Sequence, residues 1–174
     1  MVYVKGWRNV PTRSLSIEQV LTLLAQTPPR IAALTAGLGP APLHAAPAPG
    51  EWSVNEVLAH LRACADMWDN SIVEIIADDH PTLRAINPRT WINKADYREQ
   101  PFQRSLDAFT AQRADLLAVL EPLAPQGWAR SATVTGAGKP LERTVQFYAQ
   151  WLAEHERPHL KQIERITNTM RMEQ

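Results

Sequence analysis

Apolar side chains recur every three or four residues along four long stretches of this chain. That period most constrains the fold. It gathers the apolar positions on one face of each helix, and such a face has to be buried against other helices. The clearest case begins at Ser53. Ser53 with Glu56 three residues on forms a capping box, and Trp52, just ahead of the cap, can staple onto Val57. Val57, Leu58, Leu61, Cys64, Ala65, Trp68, Ile72, Ile75 and Ile76 carry the stripe to about Ala77, where Asp78-Asp79-His80-Pro81 stops it.

The other three stretches follow the same logic. Ser14 or Ser16 can cap a first helix, with Glu18 in its first turn and Ile17, Val20, Leu21, Leu24 and Ala25 as its stripe. Pro28-Pro29 is expected to interrupt it, with Ile31, Leu34 and Leu38 continuing as a second piece. A third helix runs from about Pro101 to Leu120. A fourth starts near Leu141 or Thr144 and ends at about Thr167. The pattern specifies an all-α helical bundle over residues 1–174 as one domain.

The connections read more simply. Residues 1–15 form an irregular lead-in. Residues 39–50 hold four prolines in twelve positions, which predicts a surface loop without regular structure, with His44 solvated in it. From Thr82 to about Gln100 the chain is polar with scattered aromatics, and Pro88 suits the first turn of a short helix carrying Trp91 and Ile92. Such a segment either forms a lid or plugs the bundle end. The one β-like stretch, from Trp128 to Pro140, predicts a short hairpin or a loop.

Charge and cysteine usage exclude several roles. Lys plus Arg and Asp plus Glu each number 18, so there is no global pull on nucleic acid, and no basic run creates a local one. Cys64 is the sole cysteine, which rules out an internal disulfide and suits a reducing cytoplasm. No apolar run is long enough for a membrane span, and the N-terminal residues lack the apolar core of a signal peptide.

The chemistry centres on histidine. His155 and His159 lie four apart on the fourth stripe, so both can reach one metal ion from one side. His60 faces inward on the second stripe, and three imidazoles from two helices make a bundle-core site for zinc, nickel, copper, manganese or iron. Three protein ligands leave a position open for water or substrate. The alternative is that these are ordinary core histidines, and spacing leaves the choice open. Pro158, between the pair, either aims the two rings at one point or spoils their spacing.

Two signatures, Trp52-Ser53-Val54-Asn55-Glu56-Val57-Leu58-Ala59-His60-Leu61 and His155-x-x-x-His159-x-x-Gln162-Ile163, resemble the DinB/YfiT-like superfamily over roughly Ser16 to Ile166. The resemblance implies a four-helix bundle of up-down-down-up type with a long crossover between the second and third helices. It implies a divalent metal held by His60, His155 and His159, and members are often homodimers. Pro158 stands where the family commonly has a further histidine. Characterised branches include transferases and isomerases that use low-molecular-weight thiols, and hydrolases.

Other residues carry two readings each. Glu56 can orient His60 or simply cap its helix. Cys64 can join the site or pack as a small apolar residue. Tyr148 and Trp151 can line a pocket above the metal or belong to the core. Gln162 can hydrogen-bond near His159. Arg130 and Lys139 can meet an anionic substrate or solvent. The function expected is metal-dependent chemistry on a small-molecule substrate, by thiol transfer or by hydrolysis. The rival readings are a non-catalytic metal- or ligand-binding protein and a metal-free dimerising bundle.

Overall fold

The computed structural model describes residues 14–86, 91–92, 94–136 and 138–172. The elements in chain order are α1 (Ile17–Thr35), α2 (Pro40–His44), α3 (Val54–Ala77), β1 (Thr82–Arg84), a 3-10 turn (Tyr97–Glu99), α4 (Phe102–Leu120), α5 (Pro125–Trp128), β2 (Ser131–Thr135), β3 (Leu141–Thr144) and α6 (Val145–Met172). The long helices α1, α3, α4 and α6 form the bundle, and α1 and α3 each pack against both α4 and α6.

Helix directions follow from side-chain pairings. The Leu15 amide, just before α1, donates to Gln150 Oε1 near the start of α6. Arg171, near the end of α6, donates to the Leu34 carbonyl at the end of α1. Those two helices are therefore parallel. Arg62 reaches Ser105, and Asp66 accepts from Gln112, so α3 and α4 also run the same way. His60 faces His159 while Trp68 meets Trp151, so α3 and α6 are antiparallel. The order is up-down-down-up. Parallel neighbours need a long connection, and residues 78–101 supply it between α3 and α4.

The helix starts are fixed by capping. Ser16 and Gln19 form a capping box on α1, and Ser53 and Glu56 form another on α3. The Ser53 hydroxyl accepts from the Glu56 amide at 3.2 Å, while Glu56 Oε2 accepts from the Ser53 amide at 2.9 Å. Replacing Ser53 with Ala should cost about 1 kcal/mol of stability. A denaturant midpoint checks this, and an unchanged midpoint would mean the cap is dispensable.

Several expectations need correction. Pro28 and Pro29 do not interrupt α1, which runs unbroken through them. Val20, Leu24 and Ile31 are fully buried on either side, and that packing outweighs two lost backbone donors. The Pro-rich connection is not wholly irregular, because Pro40 begins the short α2 at a position where its missing N–H costs nothing. Of the two starts expected for the last helix, Leu141 instead opens the strand β3, which pairs antiparallel with β2, whereas Thr144 directly precedes the observed start at Val145. The hairpin gains a third strand from the crossover, since β1 pairs parallel with β2. α6 runs unbroken through Pro158 and continues to Met172. The expected lead-in at 1–13 and the helix start at Pro88 lie outside the described residues.

The core falls into two apolar clusters, one built around Leu24, Ile72, Leu120, Trp128 and Leu152, the other around Ile31, Leu58, Phe109 and Ile163. A polar layer with one residue from each long helix lies between them: Thr27, Asp69, Arg113 and Glu156. Arg113 Nη2 donates to Glu156 Oε1, and both side chains are almost fully buried. Burial pushes the Glu156 carboxyl up, against the pull of Arg113, and pushes Asp69 up to about 7. Among the described residues no helix is long and apolar enough to cross a membrane.

Candidate metal centre

His60 sits in the second turn of α3, and His155 and His159 lie one turn apart in the middle of α6. The capping box at Ser53 fixes where α3 begins, and so which residue of its second turn faces α6. The ligand-type atoms of the three imidazoles lie within 4.8 Å of one another. His60 Nε2 and His155 Nε2 are 3.1 Å apart. Two nitrogens sharing one tetrahedral ion at 2.0–2.1 Å stand about 3.3 Å apart, so that pair already has the required separation. His159 Nδ1 lies 3.1 Å from Gln162 Oε1. An amide oxygen only accepts, so this bond places the proton on Nδ1 and leaves the Nε2 lone pair free.

The electrostatics favour ligation. Burial lowers His60 to about 3, with His159 nearby adding to the effect. Burial also holds His155 and His159 below the usual imidazole range. All three are therefore neutral at physiological pH, as metal ligation requires. His155 Nδ1 is buried without a hydrogen-bond partner, in contrast to His159.

The same shifts give a pH prediction for metal-free protein. Each imidazole has a folded pKa below its unfolded value, so unfolding takes up protons below pH 6.5. The contribution is intact above that pH and is lost as pH falls; for His60 the loss runs from about 6.5 to about 3. The slope is about 1.4 kcal/mol per pH unit for each proton. Asp69, between about pH 4 and 7, and Glu156, also pushed up by burial, act in the opposite sense, two groups against three. Chelator-treated protein should have a lower urea midpoint at pH 5 than at pH 7.5; equal midpoints would contradict neutral buried imidazoles.

Tryptophans wall the site. The Trp52 ring lies 5.2 Å from His60 and stacks near His159 at 6.4 Å between centroids. Trp151 stacks on His155 at 4.7 Å, and Trp68 is 5.8 Å from the same ring. Trp52 thus covers the imidazoles in addition to any packing near Val57. Neither Trp52 nor Trp68 stands out as a site residue in the sequence. The available signal was position: Trp68 shares the inward face of α3 with His60, and Trp52 stands just ahead of the cap that starts that helix.

The remaining candidates divide. Gln162 joins the site through His159, and Trp151 through His155. Tyr148 is buried but lies a helical turn before Trp151, lining a cavity that also contains Ser71. Glu56 serves the cap, with its Oε2 accepting from the Ser53 amide and hydroxyl. Cys64 Sγ lies 3.7 Å from His60 Nε2, yet it is fully buried and burial pushes its thiol well up. The group that could hold an ion comprises the three histidines without Cys64, which packs beside the triad. Arg130 is a structural residue whose guanidinium donates to the Ile75 and Asp78 carbonyls at the end of α3. Lys139 is exposed.

With this geometry in place, similarity to known proteins decides the family. A family model of the DinB superfamily matches residues 23–163. The chain belongs to the DinB superfamily.

Two solved structures share this DinB fold. YfiT from Bacillus subtilis, described as "a probable metal-dependent hydrolase with an unusual four-helix bundle topology", aligns over 90% of this chain and 92% of that one, with a TM-score of 0.66 and 20% identity. A mycothiol-dependent maleylpyruvate isomerase aligns over 84% of this chain with a TM-score of 0.64 and 11% identity. The match spans 60% of the isomerase chain. At such identities the likeness is one of fold. No curated protein sequence matches the chain significantly.

Proposed function

We propose that His60, His155 and His159 bind one divalent metal ion, and that this DinB protein is a metal-dependent enzyme transferring a low-molecular-weight thiol to a small electrophile. The observation that supports it most is the convergence of three neutral imidazoles, two of them already at the spacing of shared coordination. An ion held by three protein ligands keeps a position open, where Lewis acidity would lower the pKa of a coordinated thiol or water.

The chain's own residues define what happens around that position. Gln162 holds His159 with its Nε2 lone pair directed away from the amide. Trp52, Trp68 and Trp151 provide apolar walls that exclude bulk water and strengthen electrostatic interactions inside. Among the described residues no carboxylate joins the triad, and the nearby Glu156 is taken by Arg113. Coordination would ionise a bound thiol without such a base, and the fold shared with the mycothiol-dependent maleylpyruvate isomerase supports thiol transfer. Hydrolysis is the second reading, favoured by the description of YfiT as a probable metal-dependent hydrolase.

The test is a screen of metal-loaded protein with small thiols and an electrophile such as an activated haloarene, beside an ester substrate without thiol. Thiol-dependent turnover that is lost on chelation and returns with metal supports transfer. Ester turnover alone selects hydrolysis, and no turnover with either leaves a binding protein. The protein is also proposed to work as a homodimer, which sedimentation would check.

A further inference from the structure

A cavity lies between α3, α6 and the three-stranded sheet, with a volume of about 50 Å³. Its inner wall is the Trp68–Trp151 pair, whose ring centroids are 3.9 Å apart. Trp151 stacks on His155 and also lines this cavity, so the two sites share an aromatic side chain. None of the three histidines lines it.

The lining is amphipathic. Leu83 and Val134, from neighbouring strands, give apolar walls opposite the tryptophans. The polar groups are cationic or neutral: Arg84, Arg143, Ser71 and the Tyr148 hydroxyl, and none of the described lining residues is acidic. The Arg143 guanidinium is laid on the Phe147 ring, 4.2 Å from its centroid, and one of its nitrogens donates to the Glu142 carbonyl at 2.9 Å. It is thus oriented at the rim by packing. Gly136 serves the second arginine. A Cβ there would stand 3.3 Å from Arg84 Cγ, and its φ of +86° suits glycine alone. The turn therefore leaves Arg84 room to lie across the sheet edge.

An apolar cavity with a few convergent polar groups is the ordinary form of a small-ligand site. A water needs about 10–15 Å³ on this measure, so the cavity holds the equivalent of roughly four waters, an arm of about four heavy atoms. We infer that this cavity binds the short apolar arm of a small carboxylate, with the carboxylate at Arg143. A guanidinium fork matches a carboxylate's planar geometry. The role as substrate pocket rests on the proposed metal chemistry, whereas the binding itself does not.

Butyrate is the probe, with butyramide as its uncharged counterpart and inorganic phosphate as a second anion. Binding is followed through the indole NMR signals of Trp68 and Trp151, in chelator-treated and in metal-loaded protein. The expected result is saturable butyrate binding in both forms, at least tenfold tighter than butyramide, with the preference lost in Arg143→Gln and binding lost in Leu83→Trp, which fills the cavity. Equal binding of butyramide overturns the carboxylate assignment, as does tighter binding of phosphate. Butyrate binding that needs the metal, or that survives Leu83→Trp in folded protein, overturns the location. Binding without metal stands even where the metal reading fails.

Discussion

Glu156→Leu should destabilise the protein by about 3–5 kcal/mol, the largest effect expected of any single substitution in the polar layer. Glu156 and Arg113 are 1% and 2% exposed, and Arg113 Nε and Nη1 already lack partners. Removing the carboxylate strands a guanidinium that cannot discharge itself at any accessible pH. Asp69 is the remaining anion near Arg113, and its ionisation keeps the loss toward the lower end of that range. Arg113→Met should cost less, because burial already favours the neutral form of Glu156 and it can take up a proton. The double variant should recover most of the loss, since an apolar pair of similar volume suits the layer between two apolar clusters. Urea denaturation of the three variants checks the order. A double variant as unstable as Glu156→Leu alone would show that the layer's worth lies outside this pair.

The second large effect concerns metal affinity. His159→Ala removes a proposed ligand outright and should weaken binding by well over a hundredfold. Gln162→Leu keeps the ligand but removes the acceptor that fixes its tautomer, and loss of such a partner typically costs ten- to a hundredfold. Competition with a chromophoric chelator measures both. Equal effects, or none from Gln162→Leu, would mean that the 3.1 Å contact does not orient the ring. His155 has no comparable partner at Nδ1, so no analogous second substitution exists for it among the described residues.

Much of this was legible in the sequence, for identifiable reasons. The capping box at Ser53 and the stripe behind it specified α3 to within a residue, because capping and periodicity agreed. The i,i+4 spacing of His155 and His159, with His60 on the inward face of its own helix, pointed to the triad. What the sequence hid was non-local. The strand Thr82–Arg84 pairs with residues some fifty positions away, and three residues carry no periodicity of their own. Leu141 reads as a helix start because the apolar stripe of α6 follows it directly. Pro28 and Pro29 argue locally for a break that burial of Val20, Leu24 and Ile31 overrides. Thr27, Arg113 and Glu156 each sit within an apolar stripe, and only the assembled bundle shows that they meet. Trp52 looked like a staple and proved to cover the imidazoles.

Elemental analysis of tag-free protein, purified without chelator, tests the metal reading most directly, beside the His60→Ala and His159→Ala variants. About one divalent ion per chain, lost in both variants while they remain folded, is the expected result. Protein that stays free of metal after reconstitution with zinc, nickel, manganese or iron would contradict it, and would leave three neutral histidines packed in a helical core.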